Sequence, residues 1–274
     1  MAGDTLAKIR ESQSITIAYR EIPPFSFTNE DRHVVGYAID LCLKIADAVK
    51  RELKLPELKV RYLAADTSTR FPSIIEGKAD LECGSTTNNA ERRTRVGFTI
   101  PHFFSGVRMV VKTDSGIKNW PDLKDKTIVV TKNTTTTDLI NGRNNVRALN
   151  IKLVEGRDDK ESFSFVEQGK ADAYAMDDVV LYSMRSNATS PDAFAVVGDP
   201  LSIEPYSLMF RKGDPAFKKL VDHEMARLIH EGEFKKIYAY WFTQPNGPNH
   251  TNMKMPMSYL LRDSLAYPSD KIFD

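Results

Sequence analysis

Hydrophobic and polar positions in the first eighty residues switch repeatedly between strand and helix spacing. Positions 14–19 alternate as a strand does, and the pair Pro23 and Pro24 ends that pattern because proline cannot donate to a sheet ladder. From Gly36 to Leu53 the apolar residues recur on one helical stripe. The remaining predicted elements are a strand over 58–63, a short helix over 71–76 that ends at Gly77, and a strand over 79–83. The order is βαβαβ, which is typical of a doubly wound α/β unit.

A short repeat indicates a second unit of the same kind. The tetrapeptide Gly-Lys-Ala-Asp occurs at 77–80 and again at 169–172, each time between a helix and a strand. Upstream of the second copy, a strand over 126–130 leads into a polar loop over 131–137 and a helix that begins at Asp138. The same order of elements around both copies predicts two similar α/β lobes.

Two extended apolar segments, 106–112 and 204–211, are predicted to cross between the lobes. One lobe then comprises 1–108 and 206–274, and the other comprises 109–205. We expect the lobes to close on a ligand by bending at 107–111 and 205–208. Beyond the second crossing, Asp214 and Pro215 predict the start of a helix. The tail from Gln244 is expected to wrap a surface.

Composition and charge narrow the range of functions that the protein could have. The chain has 274 residues, of which 41% are hydrophobic and 27% are charged, and its formal net charge is +1. No apolar run approaches the ~18 residues that a membrane span needs, and a near-neutral chain has no field that attracts nucleic acid. The first residues lack a secretory signal, so we expect either a cytoplasmic chain or a mature form of a secreted one.

Metal and redox chemistry are disfavoured. The two cysteines, Cys42 and Cys83, have no CxxC spacing, and the five histidines form no HxH or HxxxH pair. Cys42 lies on the apolar helix stripe and Cys83 ends a strand, so we expect free core thiols rather than a bridge. No cofactor and no metal site are predicted.

The residues that follow the predicted strands are rich in binding groups. Ligands of an open α/β sheet bind beyond the carboxyl ends of its strands. The groups found there are Arg20, Thr67, Arg70, Ser85, Thr87 and Arg92 in the first lobe, and Thr135 and Asp177 in the second. Arginine matches carboxylates with its planar fork, hydroxyl groups add donors, and aspartate accepts from ammonium groups. Each taken singly has an ordinary explanation, such as a solvated arginine or a helix cap at Asp177 and Asp178.

Catalysis is poorly supported by the motifs. No GxSxG elbow, P-loop or GxGxxG motif follows a predicted strand, and no cysteine has a plausible histidine partner. Binding therefore explains the polar strand ends better than turnover does.

The chain resembles the periplasmic glutamate/aspartate-binding proteins of ABC transporters, within solute-binding protein family 3. The resemblance rests on Tyr-Arg-Glu at 19–21, Val-Gly-Tyr at 35–37, Glu-Cys-Gly-Ser-Thr-Thr-Asn-Asn at 82–89 and Met-Asp-Asp at 176–178. It covers almost the whole chain. It implies a type II periplasmic binding protein fold, two α/β lobes joined by two hinge strands.

The resemblance also implies a role for each residue. Arg92 would bind the α-carboxylate of the ligand with Ser85, Thr87 and Thr135. Asp177 would receive the α-ammonium group, and Arg20 and Arg70 would bind the distal carboxylate. Two positions depart from the family pattern: Thr67 replaces a serine, and Asp159 replaces a histidine near the distal carboxylate.

The resemblance further implies a non-enzymatic, monomeric protein of the periplasm whose signal has been removed. Its partners would be L-glutamate or L-aspartate and an ABC permease of the inner membrane. Because of Asp159, glutamine and asparagine remain open as ligands. The alternative is an enzyme similar to cyclohexadienyl dehydratase, which has the same fold and in which Asp159 would be the general acid.

Overall fold

A computed structural model describes residues 5–244 and 253–271 of the chain. Its helices are α1 (Thr5–Ser12), α2 (Tyr37–Leu53), α3 (Arg70–Ile75), α4 (Ala90–Arg93), α5 (Thr135–Arg147), α6 (Asp159–Glu167), α7 (Asp178–Ser186), α8 (Pro215–His230), α9 (Glu233–Phe242) and α10 (Tyr259–Ala266). Its strands are β1 (Ser14–Tyr19), β2 (Phe27–Thr28), β3 (Val34–Val35), β4 (Lys59–Ala64), β5 (Leu81–Glu82), β6 (Val96–Phe98), β7 (Phe103–Ser105), β8 (Val107–Lys112), β9 (Thr127–Thr131), β10 (Lys152–Gly156), β11 (Ala173–Asp177), β12 (Phe194–Val197), β13 (Glu204–Tyr206) and β14 (Met209–Arg211). Residues 245–252 and 272–274 of the predicted tail lie outside the described part, and residues 253–271 include α10.

The chain forms two compact units. The first comprises Met1–Phe104 and Pro205–Asp274, and the second comprises Ser105–Glu204. The boundaries thus follow residues 104 and 204, where the sequence pattern suggested 108 and 205. Strands β7 and β13, which pair with each other, contain these boundaries.

The two sheets share one topology. In the first unit the strand order is β4-β1-β5-β14-β6, and in the second it is β10-β9-β11-β8-β12. Each sheet begins with three parallel strands, and the fourth strand in spatial order, β14 in the first sheet and β8 in the second, is antiparallel to them. In the sequence, each of these antiparallel strands comes just after the chain passes from one unit to the other. The expectation of two similar doubly wound α/β lobes is confirmed.

The repeated Gly-Lys-Ala-Asp segment makes the same connection in both units. The Asp80 carboxylate accepts a hydrogen bond of 2.8 Å from the Thr16 amide, and the Asp80 amide donates to the Thr16 carbonyl at 2.8 Å. Asp172 makes the same two bonds with Thr127, each also 2.8 Å long. In each case the aspartate fastens the start of the third parallel strand to the first.

The predicted crossing strands need correction. The segment 106–112 forms β8, which lies inside the second sheet between β11 and β12. The segment 204–211 splits into β13 and β14, and β14 belongs to the first sheet. An apolar run has the same pattern whether it crosses between units or lies buried in a sheet, so the sequence could not separate the two.

Cys42 and Cys83 form a disulfide, so the expectation of free thiols was wrong. Helix α2 packs against β1, and β5 pairs with β1 on the same sheet, which brings the two buried sulfur atoms together although 41 positions separate the residues. In the chain-entropy model a loop of this length contributes about 4 kcal/mol. The bridge holds α2 to the start of the polar loop that follows β5.

A cluster of aromatic rings in the first unit contains a buried histidine. The His102 ring lies within 6.5 Å, centroid to centroid, of the rings of Phe25, Tyr37 and Tyr206. Burial lowers the pKa of His102 from 6.5 to about 3, and the Gly84 backbone opposes this shift weakly. The imidazole is therefore neutral in the folded protein at neutral pH.

We predict that this histidine makes the protein less stable in acid. Its pKa is lower in the folded than in the unfolded state, so unfolding takes up a proton between pH 6.5 and about 3. The free energy of unfolding should fall by up to about 1.4 kcal/mol per pH unit in this window as the pH decreases. Denaturant unfolding at several pH values should show a shallower pH slope for His102→Gln.

The exposed His223 provides the control, because His223→Gln should leave the slope of the wild-type protein unchanged. Equal pH slopes in His102→Gln and wild type would show that His102 does not cause the loss of stability in acid.

Candidate functional site

The carboxyl ends of β1 and β5 carry the polar residues of the first unit. Arg20 directly follows β1, and the loop over 83–89 directly follows β5, its parallel neighbour. Arg70 begins α3, and Arg92 lies on the short helix α4, whose start is capped by Asn89. Parallel strands thus bring together groups that lie far apart in the sequence.

All three predicted arginines of this unit are buried. Arg20, Arg70 and Arg92 expose 6%, 2% and 6% of their surface. Arg95, two residues beyond the end of α4, differs from Arg92 because it is exposed and pairs with Glu91 at 3.2 Å. The explanation of Arg92 as a solvated helix residue is therefore excluded.

Arg20 is fixed by bonds to two serines. Its Nη2 donates to Ser85 Oγ at 2.9 Å. The Ser26 hydroxyl donates to the Arg20 carbonyl at 2.8 Å and accepts from the Arg20 amide at 3.3 Å. The guanidinium group is thereby connected to the loop after β5.

Arg70 contacts the same loop one residue further on. Its Nη1 donates to Thr86 Oγ1 at 2.8 Å, and the Thr86 hydroxyl donates to Glu82 Oε2 at 2.8 Å. Glu82 is fully buried. Sequence analysis did not select Glu82 or Thr86 as site residues, although a charged residue inside a short apolar strand was an available signal.

Arg92 contacts the next residue of this loop, since its Nη1 donates to the Thr87 carbonyl at 3.0 Å. The buried Phe71 ring lies among the guanidinium groups, whose central carbons are 5.3 Å (Arg70), 5.4 Å (Arg92) and 4.7 Å (Arg95) from its centroid. Cation–π attraction at these distances helps to hold the arginines. Phe71 was not singled out as a site residue.

The hydroxyl groups predicted for this unit are also buried, at Thr67, Ser85 and Thr87. Thr67 precedes α3, and Thr87 makes an isolated β-bridge with Tyr206. The structure therefore brings together the predicted residues of the first unit around α3 and the loop after β5. Three buried guanidinium groups around one loop are typical of a site for an anionic ligand, because guanidinium groups pair strongly with carboxylates.

In the second unit Asp177 ends β11 and is buried. The capping contacts belong to its neighbour Asp178, whose Oδ1 accepts from the Ser105 hydroxyl at 2.6 Å and from the Val179 amide at 2.7 Å. The side chain of Asp177 makes no capping bond to α7. Helix capping therefore does not explain Asp177.

Asp159, at the first position of α6, is buried as well. It accepts a hydrogen bond of 2.9 Å from the hydroxyl of the buried Tyr174. Burial and then the Asp159 charge raise the pKa of Tyr174 well above its usual value, with a smaller effect from Asp177. The exposed Arg157 instead pairs with Asp158 at 3.2 Å.

Thr135, the first residue of α5, donates from its hydroxyl to Glu204 Oε2 at 3.2 Å. The helix begins three residues earlier than its predicted start at Asp138. Glu204 is buried, and no sequence pattern singled it out. The predicted residues of the second unit are thus carboxylates and a hydroxyl group, at Asp159, Asp177 and Thr135.

Within residues 5–244 and 253–271, no helix has both the length and the apolar character needed to cross a bilayer. The same residues contain no cluster of three or more His, Cys, Asp or Glu side chains arranged to hold a metal ion.

Comparison with known proteins agrees with this architecture. Residues 15–244 match the family described as bacterial extracellular solute-binding proteins, family 3. The chain belongs to this family, whose members have the type II periplasmic binding protein fold.

Two curated relatives match over nearly their full length. The "L-glutamate/L-aspartate-binding protein" of Pseudomonas aeruginosa is 44% identical over 97% of this chain and 89% of its own. The "Glutamate/aspartate import solute-binding protein" of Escherichia coli is 38% identical over 98% of this chain and 90% of its own. A solved structure of an ancestral arginine-binding protein bound to arginine is 27% identical, with a TM-score of 0.75 over 84% of this chain and 98% of that one.

Proposed function

We propose that the protein captures an acidic amino acid, L-glutamate or L-aspartate, outside the inner membrane and delivers it to an ABC permease. The observation that carries the proposal is the set of three buried guanidinium groups, Arg20, Arg70 and Arg92, around one polar loop. The names of the two curated relatives support the ligand class and the transport role.

In this proposal Arg92 binds the α-carboxylate with help from Ser85, Thr87 and Thr135, and Asp177 receives the α-ammonium group. The burial of Arg92 supports its role in binding the α-carboxylate, because guanidinium–carboxylate pairs are strongest where water is excluded. The burial of the Asp177 carboxylate at the carboxyl end of β11 supports its role as the acceptor of the ammonium group.

Arg20 and Arg70 bind the distal carboxylate in this proposal, and Thr67 adds a hydroxyl group. Two arginines there would disfavour a ligand with a second cation, such as lysine. Asp159 modifies this preference, since a carboxylate near the distal group suits an amide donor. Glutamine and asparagine are therefore the amide ligands to compare.

The protein binds its ligand without turning it over, as three curated relatives at 38% to 44% identity are transport solute-binding proteins rather than enzymes. The dehydratase alternative required Asp159 as a general acid. That carboxylate is already engaged inside its own unit, where it accepts a hydrogen bond of 2.9 Å from the Tyr174 hydroxyl.

The buried disulfide supports the extracytoplasmic part of the proposal, because such bridges persist in oxidising compartments like the periplasm. We propose that the protein acts there as a monomer.

Isothermal titration calorimetry tests the proposal with glutamate, aspartate, glutamine, asparagine, lysine and prephenate. We predict binding of glutamate or aspartate, and a loss of more than about a hundredfold in affinity for Arg92→Ala, since ~3 kcal/mol is lost when a buried charged contact loses one partner. Arg95→Ala is the matched control. It removes the same charge and a second contact to Phe71, but from an exposed position, so we expect less than about a threefold change.

No heat with any acidic amino acid, or conversion of prephenate, would contradict the proposed function.

Asp159→His tests the departure from the family pattern. Replacing the carboxylate removes negative charge near the distal group, so we predict glutamate affinity to rise by about tenfold, or ~1.4 kcal/mol, and glutamine affinity to fall. Calorimetry with both ligands measures the ratio. Glu155→His also replaces a carboxylate with an imidazole, but at an exposed position of β10, and should leave both affinities unchanged. Tighter glutamine binding by Asp159→His would contradict the role given to Asp159.

A further inference from the structure

Glu82 and Thr86 form a buried connection to one of the proposed binding arginines. A threonine hydroxyl has a single hydrogen, so Thr86, by donating to Glu82 Oε2, must present a lone pair to Arg70 Nη1. The direction of both bonds is therefore fixed. A charged acceptor strengthens the first bond and polarises the hydroxyl for the second.

Glu82 has a restricted position. Its Cα lies opposite Ala18 on one side and Met209 on the other, in the middle of the first sheet. A Cβ at Gly84 would lie 2.9 Å from Glu82 Oε1, so any larger residue at position 84 would push the carboxylate group out of this position. Among the described residues Oε1 has no hydrogen-bond partner, which leaves the Thr86 bond as the contact that orients the carboxylate group.

A buried carboxylate without full hydrogen bonding is destabilising unless it serves another group. The neighbouring buried charge that Glu82 reaches through one hydroxyl is the Arg70 guanidinium. A solvated arginine would sample many rotamers, whereas one held at Nη1 loses less entropy when it binds a carboxylate.

We propose that Glu82, acting through Thr86, is a positioning residue that orients Arg70 for the distal group of the ligand. This rests on the proposed function, in which Arg70 binds the distal carboxylate. Glu82 and Thr86 then determine how strongly the protein prefers an acidic amino acid over its amide. The α-carboxylate and α-ammonium groups, which both ligands share, are bound by Arg92 and Asp177.

Calorimetry on Thr86→Val and Thr86→Ser tests the connection. Valine keeps the shape but cannot bridge the two charges, so the Kd for glutamate should rise by about tenfold or more and that for glutamine by less than about threefold. Serine keeps the hydroxyl group and should restore both values to within about twofold of wild type. An equal loss for both ligands in Thr86→Val, or no loss for glutamate, would overturn the proposal.

A second measurement needs no ligand. NMR of the Arg70 side chain in the unliganded protein reports how fast its guanidinium group rotates. Rotation should be slow in wild type and Thr86→Ser, and faster in Thr86→Val and in Glu82→Gln. Adding Glu82→Gln to Thr86→Val should change nothing further, because the connection is already broken.

If rotation is equally slow in all variants, the positioning role is wrong. If wild type fails to bind any acidic amino acid while the rotation differences appear, the proposed function fails and the positioning of Arg70 stands.

Discussion

The burial of three guanidinium groups in one α/β unit is the constraint on which the rest of the account depends. A charge removed from water is costly unless an opposite charge or several hydrogen bonds compensate it. In the first unit Arg20, Arg70 and Arg92 receive oxygen contacts from consecutive residues of one loop, at Ser85, Thr86 and Thr87. The carboxylate of Glu82 is connected to Arg70 through the Thr86 hydroxyl. In the proposed function these guanidinium groups bind the carboxylates of the ligand.

The scaffold keeps that loop in place. The loop starts directly after β5, whose pairing with β1 is set by the register of Leu81 and Glu82. The disulfide at Cys83 ties its first residues to α2, and the Thr87 bridge to Tyr206 holds its far end. A loop fastened at both ends loses little entropy when it binds a ligand, so more of the contact energy is available for affinity.

Much of this arrangement was predictable from local patterns. The strand at 14–19 and the helix after Gly36 appear where the apolar spacing indicates them. The repeated Gly-Lys-Ala-Asp segment correctly indicated two like units, because Asp80 and Asp172 make the same backbone contacts. The site residues were selected from strand ends, and their burial agrees with a binding role that remains a prediction.

Other features depend on contacts that local patterns do not encode. The disulfide joins residues whose proximity follows only from the packing of α2 on the sheet. The segment at 106–112 looked like a crossing, but its neighbours β11 and β12 lie far along the chain. Glu82 and Glu204 were missed because a single buried acid has no periodicity, and its importance depends on the groups that surround it.

The central claim is that the buried arginines bind the two carboxylates of an acidic amino acid. A crystal structure of the protein grown with L-glutamate tests it most directly. The account predicts the α-carboxylate within hydrogen-bond distance of Arg92 and the distal carboxylate within that distance of Arg20 and Arg70. Density for glutamate whose distal carboxylate contacts neither Arg20 nor Arg70 would contradict the account.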